Sequence, residues 1–166
     1  MCIRDSIYSG TKIFGAIRGH YTARNILTFI KEFNNNKAVN IVDFKSKMES
    51  KPDYAEKVID TIIQYNDRFI QPIKSIIMAR LFKNYIDAHY EWSYLMTLLP
   101  IVENMNPILI DELKIIFEDY KGNVNKFNPE LEGLFFSCGI GFRYGNNFQI
   151  TKIGKDLFQF GINELT

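Results

Sequence analysis

PIKSIIMARLFKNYIDA, the stretch from Pro72 to Ala88, decides how this chain folds. On a helical wheel Ile77, Ala79, Leu81, Phe82, Tyr85 and Ile86 cover well over half of the circumference, while Arg80, Lys83, Asn84 and Asp87 gather in one narrow sector. A stripe that wide belongs to a helix surrounded by others rather than to one lying on a surface. The polar sector reads as its solvated edge. Pro72 stands in the first turn, where the missing backbone N–H removes no helical bond.

Amphipathic segments flank this helix on both sides. Upstream, Lys12 to Phe33 places Ile13, Ile17, Ile26, Phe29, Ile30 and Phe33 near helical spacing, and Asn34-Asn35-Asn36 stops it. Val39 to Met48 predicts a short second helix. Ser50-Lys51-Pro52-Asp53 resembles a capping-box start for a third, whose stripe is Tyr54, Val58 and Ile62 joined by Ala55, Ile59 and Ile63. Downstream, Tyr90 to Met105 is apolar almost all round, and Pro100 in its middle predicts a kink or a split. Asn106-Pro107 and Asn128-Pro129 each announce a helix by an Asn cap followed by Pro at the first helical position. The first is expected to reach Lys121-Gly122. The second, Glu130 to Cys138, is expected to end at a left-handed Gly139.

The period then changes. Gly141 to Tyr144, a Gly145-Asn146-Asn147 turn and Phe148 to Ile150 read as a short hairpin, and Thr151 caps a last helix, Lys152 to Phe160. The fold class is therefore mainly α: a helical bundle over residues 7–105, then a small module over 106–166 containing one β-hairpin. Lys121 to Phe127 is the expected boundary segment.

The string L-x2-LFFSCGI-x3-YGNNFQITKIG-x2-L resembles the winged-helix ending found in many bacterial and phage proteins. Together with Lys12 to Phe33 and the Leu81-Phe82-Lys83-Asn84-Tyr85-Ile86 block, the layout resembles a group of uncharacterised prokaryotic proteins, the abortive-infection alpha family nearest among them. That resemblance implies a role around phage defence or mobile elements. It implies no reaction and no catalytic residues. Met1 to Ser6, MCIRDS, resembles the product of a sequencing-library transposon end, so native sequence is expected to begin near Ile7, with further sequence upstream. Setting Cys2 aside leaves Cys138 alone, too few cysteines for a disulfide or cysteine-based metal framework.

With 46% hydrophobic and 23% charged residues and a formal net charge of +1, the composition is that of a globular chain, with none of the cationic excess of a nucleic-acid-coating protein. Used as a DNA reader, the module would set Glu130 to Cys138 in the major groove and Arg143, Asn146 and Asn147 on the backbone, with Lys152 and Lys155 nearby. Charge argues against this: residues 128–166 hold Arg143, Lys152 and Lys155 against Glu130, Glu132, Asp156 and Glu164. The positive excess lies in residues 7–90. There Lys12, Arg18, Arg24 and Lys31 on the first helix read first as a solvated helix face and, as the alternative, as a basic interaction face suited to an acidic partner or a peripheral membrane contact.

Catalytic constellations are sparse. Asp87, His89 and Glu91 alternate across a turn, but alternation aligns side chains only on a strand. His20 stands alone. Cys138 reads as a small buried residue, and Gly139-Ile140-Gly141 as turn chemistry. An enzymatic reading would need a polar pocket joining His20 to His89. No catalytic, cofactor-binding or metal residue emerges, and no cofactor is expected. The expectation is a cytoplasmic protein that works by binding a protein partner or its own copy, with nucleic acid the alternative.

Overall fold

The computed structural model describes residues 3–35, 38–119, 128–163 and 165, with side chains from Arg18 onward and excluding that of Asp119. The side chains of Lys12, Ile13 and Ile17, Cys2, and the expected boundary at Lys121 to Phe127 lie outside the described residues. Over the described residues the protein is mainly helical with one two-stranded antiparallel hairpin. In order come α1 (Ile3–Asn35), α2 (Ile41–Ser50), α3 (Pro52–Arg68), α4 (Pro72–Ile86), α5 (Trp92–Asn104) and α6 (Pro107–Lys114), the last continued by a π turn over Ile115–Asp119. A 3-10 turn (Pro129–Leu131) leads into α7 (Glu132–Ser137), then β1 (Gly141–Tyr144), β2 (Asn147–Ile150) and α8 (Lys152–Leu157), closed by a π turn over Phe158–Ile162.

The central position of α4 follows from its wide apolar stripe. It packs against α1, α5 and the terminal π turn, and Ile77, Met78, Ala79, Leu81 and Phe82 are each at most 1% exposed. Phe82 meets the rings of Phe29 from α1 and Trp92 from α5 edge-on. One hydrophobic cluster continues from there through Leu109 and Leu113 of α6 to Phe135, Phe148, Ile150 and Leu157 of the C-terminal module.

The polar sector of α4 is not a solvated edge. Arg80 Nε donates to Glu32 Oε1 of α1 at 2.6 Å, and its Nη1 to the Asn163 carbonyl at 2.6 Å. Asn84 Nδ2 donates to the Phe160 carbonyl at 3.1 Å. Asp87 accepts from Lys83 at 3.2 Å and from the Asn40 backbone N–H at 3.1 Å. A narrow polar strip on a buried helix thus ties three elements together, because neighbouring backbone carbonyls and carboxylates need partners as much as water does.

Three local expectations are also revised. α1 begins at Ile3 rather than Lys12, since each residue added to an existing helix gains a bond without a new nucleus. Ser50 ends α2 instead of capping α3: its hydroxyl turns back to the Lys47 carbonyl at 3.3 Å, and Lys51 alone joins the two helices. Of the kink or split expected at Pro100, the split does not occur, since α5 runs unbroken from Trp92 to Asn104. An interior proline costs about 3 kcal/mol, but Leu95, Leu98, Leu99 and Val102 are all fully buried, and each apolar side chain of that size contributes roughly 1.5–3 kcal/mol.

Two helices end in the same motif with different residues at its strained position. At the end of α7, Gly139 has φ +70°, its N–H reaches the Phe136 carbonyl and that of Ile140 the Phe135 carbonyl, both at 3.0 Å. At the end of α4, Ala88 takes φ +61°, with its N–H on the Tyr85 carbonyl at 3.0 Å and that of His89 on the Asn84 carbonyl at 3.1 Å. Both are Schellman endings. Alanine in the left-handed region carries roughly 1–2 kcal/mol of strain that glycine lacks. Ala88→Gly is therefore expected to stabilise the protein by about 1 kcal/mol, after the greater freedom of the unfolded glycine chain is counted. Urea unfolding followed by circular dichroism checks it.

Candidate functional site

The C-terminal hairpin is fixed from below by its own turns. Thr151 joins the end of α7 to the start of α8: its hydroxyl donates to the Gly139 carbonyl and accepts from the Gly154 N–H, both at 3.0 Å. Gly145, with φ +59°, takes the first position of a two-residue loop, and Tyr144 pairs with Asn147 across it. The register continues Arg143 to Phe148, Phe142 to Gln149 and Gly141 to Ile150.

Register sorts the side chains into two faces. Gly141, Arg143, Phe148 and Ile150 share the inner one, where Phe148 and Ile150 are buried and Phe148 meets Phe135 edge-on at 5.5 Å. Phe142, Tyr144, Asn147 and Gln149 share the outer one. Phe142 is 40% and Tyr144 75% exposed. This outer face carries two aromatic rings, two amides and no charge.

Arg143 does not join that surface. Its guanidinium makes a fork with the Glu132 carboxylate of α7, Nε to Oε1 and Nη2 to Oε2, the latter at 2.7 Å. The hydrogen bond from Arg143 holds the Glu132 carboxyl below the usual carboxylate range. The helix expected to enter a groove is only Glu132–Ser137, preceded by a 3-10 turn that carries Glu130. Asn146 and Asn147 are exposed at the hairpin tip, and Lys155 is exposed on α8. Lys152 is paired with Asp156 at 3.0 Å, an i,i+4 bridge.

The basic residues of α1 whose side chains are described have different partners. Arg18 forms an ion pair with Asp67 of α3, and Thr22 donates to the same carboxylate at 2.7 Å. Those hydrogen bonds, Arg18 first, hold the Asp67 carboxyl below its ordinary range. Arg24 lies over Tyr21 and reaches the Ile70 carbonyl at 2.9 Å. Lys31 is exposed.

His89, Tyr94, Lys152, Asp156 and Phe160 line a shallow cleft of about 230 Å3. Tyr94 donates to Asp156 Oδ2 at 2.5 Å, and burial followed by that carboxylate pushes the phenol up to about 12. His89 stacks on Phe160 at 5.8 Å. His20 is exposed beside Tyr21 and is not part of the cleft. Asp87 bonds to Lys83, His89 stacks on Phe160, and Glu91 precedes α5, so the three do not converge. Cys138 is half-buried rather than buried, because it occupies the cap position of α7, with Sγ 4.0 Å from the Asn104 carbonyl.

Sequence reasoning singled out Arg143 and the asparagines but missed Phe142 and Tyr144. The signal was present. A two-residue turn pairs Tyr144 with Asn147, which gives Phe142 and Tyr144 opposite parity to Phe148 and Ile150, so one apolar pair had to face outward. Among the described residues, no helix is long and apolar enough to cross a membrane. No protein-family model, curated protein or solved structure matches the chain.

Proposed function

We propose that this protein is a non-enzymatic interaction or regulatory protein whose hairpin contacts another protein, with a second copy of the chain as the occupant. One observation carries the reading: Arg143 is engaged with Glu132, leaving Phe142, Tyr144, Asn147 and Gln149 as an uncharged aromatic face. Tyrosine and phenylalanine flanked by amides match the composition of protein contact surfaces. Each strand also has one side without a strand partner among the described residues, and like edges pair readily about a two-fold axis. The resemblance to the abortive-infection alpha family would set such an interaction in prokaryotic phage defence, and a cytoplasmic setting accords with that role.

The alternative is nucleic-acid binding through the same wing, favoured by its exposed rings, on which bases stack, and by an exposed Lys155 on α8. Sedimentation velocity over a range of concentrations, together with labelled duplex and single strands at low salt, separates the two. The interaction reading expects self-association that Tyr144→Ser removes, with no salt-sensitive nucleic-acid binding. A chain that stays monomeric yet binds DNA, losing affinity with added salt and on Arg143→Ala, overturns it.

A further inference from the structure

A second surface, away from the hairpin, has a different chemistry. Where α2, α3 and the end of α4 meet, an open groove of about 230 Å3 is lined by Phe44, Tyr54 and Tyr85, with Asp43, Lys47 and Glu91 around it. Its floor is rigid. Phe44 meets Tyr54 edge-on at 6.3 Å, the Tyr54 and Tyr85 hydroxyls share a hydrogen bond of 2.6 Å, and both phenols pack edge-on against Trp92. Burial, then the Tyr85 hydroxyl, raises the Tyr54 pKa, so the ring stays a neutral phenol.

The position of Lys47 indicates what the groove accepts. Asp43 lies four residues before it on α2, the spacing at which a lysine ordinarily pairs with a carboxylate. Lys47 forms no such bridge. Its Nζ instead stands 4.3 Å from the centre of the Tyr54 ring. A second ammonium, on Lys57, lies over Trp92 at 5.3 Å in the same aromatic cluster. Ring faces attract cations through their negative quadrupole. Asp43 and Glu91 are exposed and form no ion pair among the described residues, so two carboxylates stand at the rim against the single ammonium of Lys47. The volume lies below the roughly 300–1,000 Å3 of pockets that take drug-sized ligands, and suits a short chain ending in a cation.

We propose that this groove binds alkylammonium groups, with Lys47 as its internal occupant, and that its external occupant is a lysine side chain of a partner protein. The partner half rests on the interaction reading above; the ammonium half does not, so the two fail separately. Trp92 is the one tryptophan of the chain and reports on the groove by its fluorescence. The test titrates wild type, Lys47→Met and the pair Asp43→Asn with Glu91→Gln with n-butylammonium, with butyrate as the control of opposite charge. All three substitutions are at exposed positions, so folding is retained.

Saturable quenching by butylammonium is expected, several-fold tighter in Lys47→Met because the internal competitor is gone. It is expected to be several-fold weaker in the double variant and absent with butyrate. Absence of saturation in Lys47→Met, or equal response to butyrate, overturns the site. Unchanged affinity on Lys47→Met overturns the role of Lys47 as occupant. A short lysine-containing peptide is expected to bind more tightly than butylammonium and to lose binding when its lysine is acetylated. A peptide no tighter than the free amine overturns the partner assignment.

Discussion

Phe82→Ala is expected to cost about 3–5 kcal/mol, the range measured when a buried aromatic ring is removed and its space is only partly refilled. Phe82 is 1% exposed, and its ring meets Phe29 at 6.0 Å, Tyr85 at 6.0 Å and Trp92 at 5.9 Å, each within about ten degrees of perpendicular. Three helices therefore lose contacts at one site: α1, α4 itself and α5. Against a total stability of about 5–15 kcal/mol for a folded domain, the change is a large fraction of what holds the chain together. Urea unfolding followed at the far-ultraviolet helical signal measures it; Trp92 fluorescence does not, because the mutation alters the surroundings of that ring directly. Phe82→Leu keeps much of the volume and is expected to cost less. A loss below about 1 kcal/mol for the alanine variant, far under that range, would show that the α1–α4–α5 seam is not the centre of stability.

The place of Phe82 at that seam was legible in the sequence, while the partners of its polar neighbours were not. A wheel carrying Ile77, Leu81, Phe82 and Ile86 through most of its circumference has one physical solution, burial on several sides. The Asn-Pro starts were equally plain: Asn106 and Asn128 accept from the N–H groups of Ile108 and Glu130, as their positions require. Arg80 and Asn84 show where such reading stops. A polar strip looks the same whether it meets water or the carbonyls of a segment far along the chain, and Asn163 and Phe160 are brought to it only by tertiary packing. Arg143 shows the same limit at the hairpin: it was legible as a cation on a wing but not as the partner of Glu132. The groove around Tyr54 is less legible still, since Phe44, Tyr54 and Tyr85 come from three helices and each reads alone as ordinary core.

Gly154→Ala is expected to destabilise the protein by about 3 kcal/mol, at the upper end for inserting volume into a packed site. A Cβ at that position would lie 2.6 Å from the Ile140 carbonyl oxygen, 2.7 Å from Ile150 Cγ2 and 3.2 Å from Ile140 Cβ. The nearest atom is backbone, and it is pinned: the Ile140 oxygen accepts from the Thr151 N–H at 3.0 Å, next to the Thr151 hydroxyl that holds Gly139 and Gly154 together. Moving that oxygen breaks the junction of α7, the hairpin and α8 at once. Gly133→Ala is the control, because a Cβ there has nothing within 4 Å, and on α7 it should be neutral or stabilising by up to about 1 kcal/mol. Thermal melting by circular dichroism compares the two, and its shape carries further information. The turn that follows α8 packs Gly161 against Ile77 and Leu81 of α4, so loss of the junction draws on the same core as the helical body. One cooperative transition at lower temperature is therefore expected for Gly154→Ala. A separate early transition would mean that the hairpin module opens while α4 remains in place.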